Sequence, residues 1–125
     1  NMLAADLEYA KSLAIGTGQR HSVVFDAANE TYRITNAAGD TIAHPVKKGF
    51  AYVMDFRTEG RLDQVTIADA DFDTTDTVSF DYLGSPFNGG TPPTALNSGV
   101  VTLQAGGISR NVSVEPVTGF VSISE

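Results

Sequence analysis

The apolar positions of the chain change their spacing once. Over residues 1–15, Leu3, Leu7, Ala10 and Ala14 recur at steps of four, three and four, which places them on one stripe of a helix. Leu13 and Ile15 widen that stripe near its end, while Asp6, Glu8 and Lys11 lie off it. Gly16 and Gly18 supply the left-handed backbone that closes helices. Beyond Gly18 the period is two. The segments 21–27 and 31–36 read as a hairpin across Asn29 and Glu30, a turn at 36–40 leads to a short run at 41–43, and Pro45 ends that run by removing a ladder donor. Strand-like runs follow at 50–56, 62–68 and 76–83. Residues 84–99 hold four glycines and three prolines in sixteen positions and read as a surface loop. Three alternating runs then close the chain as an antiparallel meander, turning at Gly106-Gly107 and between Pro116 and Gly119. The pattern predicts an α+β fold: an N-terminal amphipathic helix packed on antiparallel β-sheets, in a single domain.

Composition narrows the chemistry. The chain of 125 residues has no cysteine, which removes disulfides, thiolate nucleophiles and thiolate metal sites together. Fifteen acidic against eight basic residues give a net charge of -7, so phosphate backbones and anionic lipid heads are repelled and no nucleic-acid partner is expected. No run approaches the roughly 20 apolar residues that span a bilayer. The helical pattern begins without a capping residue ahead of Leu3, so a preceding segment is expected.

Candidate chemistry is sparse. Asp69, Asp71, Asp73 and Asp76 form the densest set of oxygen ligands, and alternating aspartates can converge on calcium. The run lacks the glycine and the twelfth-position glutamate of an EF-hand loop, and its other reading is a solvated acidic turn between strands. His21 and His44 stand in separate segments and read as ordinary strand residues. There is no G-x-S-x-G elbow and no S-x-x-K pair to activate a serine. The glycine-rich stretch 84–99 carries Pro92-Pro93 where a phosphate loop needs lysine, so it is a connection whose exposed residues, Phe87 and Asn88 among them, are available to partners. The chain is expected not to be an enzyme.

Three pieces in order carry a family resemblance: LAADLEYAKSLAIGTGQRHSVVFD, then FDYLGSPFNGGTP, then GVVTLQAGGISRNVSVEPVTGFVSI. Together they resemble the GspH/FimT family of type IV pilin-like minor pseudopilins. Ala10, Ala14 and Ile15 match its helix, Val23 and Phe25 its first strand, Phe80 and Gly84 its middle step, and Thr118-Gly119 its ending. Phe120 stands where the family has arginine, which argues against the DNA binding of some relatives.

The resemblance implies that residues 1–16 are the C-terminal half of a spine helix and that 17–125 form a globular antiparallel β domain. It implies a structural subunit of a type II secretion pseudopilus or a type IV pilus, acting in filament assembly and protein secretion. Its partners would be other pilin or pseudopilin subunits and secreted cargo. It would be anchored in the inner membrane through a missing N-terminal helix and would face the periplasm. Leu3, Leu7, Ala10 and Ala14 would divide between the domain's own sheet and the filament interior. The alternative from another class is a calcium-dependent extracellular β-sandwich module that binds a glycan or surface protein, which would not need a long amphipathic opening helix.

Overall fold

A computed structural model describes residues 2–58 and 64–124. Helix α1 spans Met2–Thr17. Among the described residues nine strands follow: β1 His21–Asp26, β2 Thr31–Thr35, β3 Val53–Asp55, β4 Val65–Phe72, β5 Thr77–Phe80, β6 Pro86–Asn88, β7 Gly99–Ala105, β8 Ile108–Val114 and β9 Val121–Ser124. They form two antiparallel sheets, ordered β3-β2-β1-β5-β6 and β4-β7-β8-β9. The helix packs across both, against β1 and β5 of the first sheet and β9 of the second. The predicted α+β architecture is therefore the observed one.

The helix forms where the apolar stripe indicated. Leu3, Leu7, Ala10 and Ala14 are all buried, and Gly18 at φ 69° provides the left-handed residue past the last turn. The hairpin β1–β2 pairs Phe25 with Tyr32 and Val23 with Ile34, so the apolar faces of both strands turn inward together. The meander β7–β8–β9 has the expected register, with Ala105 opposite Ile108 across Gly106-Gly107. Between the sheets, Phe25 stacks on Phe72 with ring centroids 5.7 Å apart, and on the first sheet's side Tyr32 of β2 meets Phe56, just past β3, edge-on at 6.0 Å.

Two regions differ from the sequence reading. The run expected at 62–68 lies partly outside the described residues, and its strand continues through the aspartates to Phe72. A bulge between Ile67 and Asp69 shifts the alternation by one residue, so Ile67 and Phe72 both face the core despite their odd separation. Alternation alone cannot reveal that shift. The stretch 84–99 is not a free surface loop either. It contains β6, which pairs with β5, and it buries Leu96.

Candidate functional site

The helix and the long connection carry the side chains that the sequence singled out as partner-facing, and the structure places each of them. On the helix, the four stripe residues predicted to contact partners are consumed by the domain's own core, with exposures of 2, 0, 0 and 0%. This corrects the expectation that the stripe divides between the sheet and a neighbour. Ala5, Glu8 and Ser12 occupy the exposed side instead. Their spacing of three and four is that of one helix face, and two of the three side chains are small.

Asp6 breaks the simple pattern. It lies off the apolar stripe yet is buried, and its carboxylate accepts the hydroxyl of Tyr32 at 2.5 Å and the hydroxyl of Tyr52. Burial, followed by the nearby carboxylate, raises the Tyr32 phenol far above its usual range. Tyr52 is raised for the same first reason and by its hydrogen bond to Asp6. Both phenols therefore stay protonated and donating. Tyr52 is sandwiched between Tyr9, stacked at 5.5 Å, and His44, stacked at 4.6 Å. The His44 Nδ1 accepts the backbone N–H groups of Val46 and Lys47 at 3.1 and 3.0 Å, so this histidine organises a turn. His21 is buried on β1 beside the Gln19 carbonyl, 3.1 Å from its Nδ1.

The four aspartates do not act as one group. Asp69 and Asp71 lie on β4, Asp73 in the turn after it and Asp76 just before β5. Asp69 and Asp76 share a polar hollow of about 490 Å³ with Asp26 and Arg33. Asp71 is engaged locally by the Thr74 N–H at 2.8 Å. Asp73 accepts the N–H groups of Asn97 and Ser98 and the Asn88 amide, all at 3.0 Å. Those donors, the Asn97 N–H first, hold its carboxyl below the usual carboxylate range. Among the described residues, no three His, Asp or Glu side chains gather into a metal-binding group.

Asp73 and Thr74 both adopt positive φ, 55° and 70°, between Phe72 and Thr75, which exchange backbone hydrogen bonds of 2.8 and 3.0 Å. This is a two-residue turn of the primed kind, and it carries the chain from one sheet to the other.

Asn88, expected to face a partner, is 8% exposed. Besides Asp73, its amide donates to Thr94 Oγ1 at 2.8 Å, and its carbonyl oxygen accepts Gly90 and Thr94 N–H at 3.0 and 3.1 Å. A side chain with every polar atom satisfied internally is structural. Phe87 is half-buried under the Arg20 guanidinium, whose carbon lies 4.4 Å from the ring centroid. The sequence carries a faint signal of this arrangement, since Asp and Asn both favour the turns and side-chain-to-backbone bonds that fix such connections.

A different surface stands out. Ile15, Tyr82, Leu83, Val117 and Phe120 are all exposed large apolar residues. The turn at 81–84 and the turn at 116–119 meet over the last turns of the helix, where the Lys11 ammonium donates to the Thr118 carbonyl at 3.1 Å. A methyl group on Gly119 would lie 2.7 Å from the Gly84 carbonyl oxygen, so only glycine permits this approach.

Neither protein-family models nor curated proteins match the sequence. Solved structures do match the fold. The type IV minor pilin FimU of Pseudomonas aeruginosa aligns with a TM-score of 0.61 at 20% identity, over 99% of this chain and 88% of that one. The minor pseudopilin EpsH of the Type 2 Secretion System of Vibrio cholerae aligns with a TM-score of 0.65 at 11% identity, over 98% and 90%. Helix, both sheets and the order of their strands thus build a chain with the fold of the minor pilins and minor pseudopilins.

Proposed function

We propose that this chain is a structural subunit, a minor pilin or minor pseudopilin, whose globular domain rides on a helical spine and contacts neighbouring subunits of a filament. The observation that carries this reading is α1 itself. It is seated on both sheets through Leu3, Leu7, Ala10 and Ala14, while Ala5, Glu8 and Ser12 remain exposed along its length. A helix of this kind is held firmly by its own domain and still offers a side with small residues for close approach to other helices. The overall fold, an N-terminal helix on antiparallel sheets, is shared with FimU and EpsH and supports this reading.

The role requires no catalysis, and the buried histidine and carboxylates have structural partners within the domain. In this reading the membrane anchor belongs to a segment ahead of residue 1; among the described residues no helix is long and apolar enough to cross a bilayer. A periplasmic domain tethered to the inner membrane, assembling with other pilin-type subunits and meeting secreted cargo, completes the reading.

The coding sequence immediately upstream of Asn1 tests it. A basic leader followed by roughly 20 apolar residues is expected. A cleavable secretory signal or another folded domain in that place would overturn the assignment.

A further inference from the structure

Between β2 and β3, residues 44–50 form a loop closed at its base by the bridge of Ala43 to Ala51 and by the His44 N–H, which donates to the Phe50 carbonyl at 2.8 Å. Near its tip the Phe50 N–H reaches the Lys47 carbonyl at 3.1 Å across Gly49, whose φ of 84° suits the tight turn. All six residues after His44 are exposed, Val46 and Phe50 by 79 and 68%. No ion pair braces the loop. Residues 41–54 hold no carboxylate, and among the described residues the Lys47 and Lys48 ammoniums have no partner. Its shape therefore depends on backbone bonds and on one side chain, the His44 imidazole.

Pro45 has no N–H, so the first two donors after His44 are those of Val46 and Lys47. Both point at a single atom, His44 Nδ1, at 3.1 and 3.0 Å. An imidazole nitrogen accepts only while it carries no proton, so the ring in this arrangement is neutral and holds its hydrogen on Nε2. A second proton turns Nδ1 into a donor facing two other donors. Proton binding and the two hydrogen bonds thus exclude each other, and histidine is the side chain that changes charge between about pH 5 and 8. The groups facing the ring do not reverse this. Tyr52 stacks on it at 4.6 Å and 12°, with Tyr9 stacked in turn on Tyr52. The Asp6 carboxylate is bonded to the Tyr52 hydroxyl rather than to the imidazole. On the loop itself, Lys47 and Lys48 would be joined by a third positive charge.

We propose that His44 is a pH-sensitive switch: the neutral ring holds residues 44–50 in their ordered form, and a proton on Nδ1 releases them. What the switch controls is the shape of a surface. Val46 and Phe50 flank the two lysines, and this apolar and basic surface is presented in one form only while the imidazole is neutral. The switch is independent of the assembly reading, because every group in it lies within one copy.

NMR on the purified domain tests it with three proteins. The native chain at about pH 8 should show the His44 ring proton on Nε2. Amide exchange at Val46 and Lys47 should then be about tenfold slower than in His44→Ala, which lacks the acceptor, and the two proteins should exchange alike at about pH 5. Comparison at equal pH removes the intrinsic pH dependence of exchange. His44→Asn offers an oxygen acceptor that does not titrate, so its exchange relative to His44→Ala should be the same at both pH values. Unchanged chemical shifts of the Val23 and Phe25 amides in β1 show that each variant is folded. A ring proton on Nδ1 at about pH 8 would overturn the switch, as would a native advantage over His44→Ala that persists undiminished at about pH 5. A loss in His44→Asn that follows pH as the native chain does would also overturn it, since another group would then be responsible.

Discussion

Asp6 and Asp73 are both single carboxylates that hold distant parts of the chain together, and they do so in opposite surroundings. Asp6 is buried under the helix and receives two phenol hydroxyls, from β2 and from the residue before β3. Asp73 stands at a half-exposed turn and receives two backbone N–H groups from the connection between β6 and β7 and the side-chain amide of Asn88 at the end of β6. A buried acceptor leaves its donors stranded when it is removed, whereas a half-exposed one releases them to water. The same residue type is thus a core element in one place and a latch in the other.

That contrast is broken first by Asp6→Ala. Two donors to a charged acceptor are lost, one of them at a fully buried tyrosine, and stability should fall by about 3 kcal/mol, read as a midpoint shift in urea unfolding. Asp73→Ala should cost less, about 1 to 2 kcal/mol, and should loosen the backbone of 88–98 specifically, measured as faster amide exchange at Asn97 and Ser98. Equal losses from the two substitutions would mean that burial does not set the difference. Because the two sites share no partner, the double variant should be additive within about 0.5 kcal/mol.

Opposite pH limits sharpen the comparison further. The Asp73 carboxyl titrates lower in the folded state than its ordinary 3.8, so its stabilisation is present above that value and is lost as pH falls through the lower folded value. Stability measured at pH 6 and pH 3 should therefore show a difference between the protein and Asp73→Asn that shrinks at the acid end. The Tyr32 and Tyr52 phenols titrate above their ordinary 10.0 when folded, so their contribution is complete below that value and is lost as pH rises toward the raised folded values. Alkaline unfolding followed by circular dichroism should coincide with tyrosinate absorbance. Tyr52→Phe should weaken that coupling at a cost of about 1 kcal/mol near neutrality.

The sequence revealed most of the fold where one rule governs one segment. The stripe Leu3–Leu7–Ala10–Ala14 and the hairpin and meander alternations each follow a single period, and the structure has them. It concealed what depends on pairing between remote segments. Asp6 sits beside Leu7 and looks like a solvent-facing helix residue until Tyr32 and Tyr52 are brought over it. The β4 bulge moves the inward positions by one, and β6 is too short, at three residues, to announce itself among glycines and prolines. The acidic run suggested one ion-binding group, yet its members point to separate partners, Thr74 for Asp71 and Asn97 for Asp73. The apolar corner has no sequence pattern of its own, because its residues come from the helix end and two unrelated turns.

The seat of α1 on β9 also has a consequence for synthesis. Helix α1 is made before every strand of the domain, and Val121, part of the surface that covers it, is made well after it. Until that strand leaves the ribosome, the stripe Leu3–Leu7–Ala10–Ala14 has only part of its seat and stays open to whatever apolar surface is nearest. A chain ordered in this way remains in a receptive, unfinished state until β9 is in hand, and only then locks its helix into the domain.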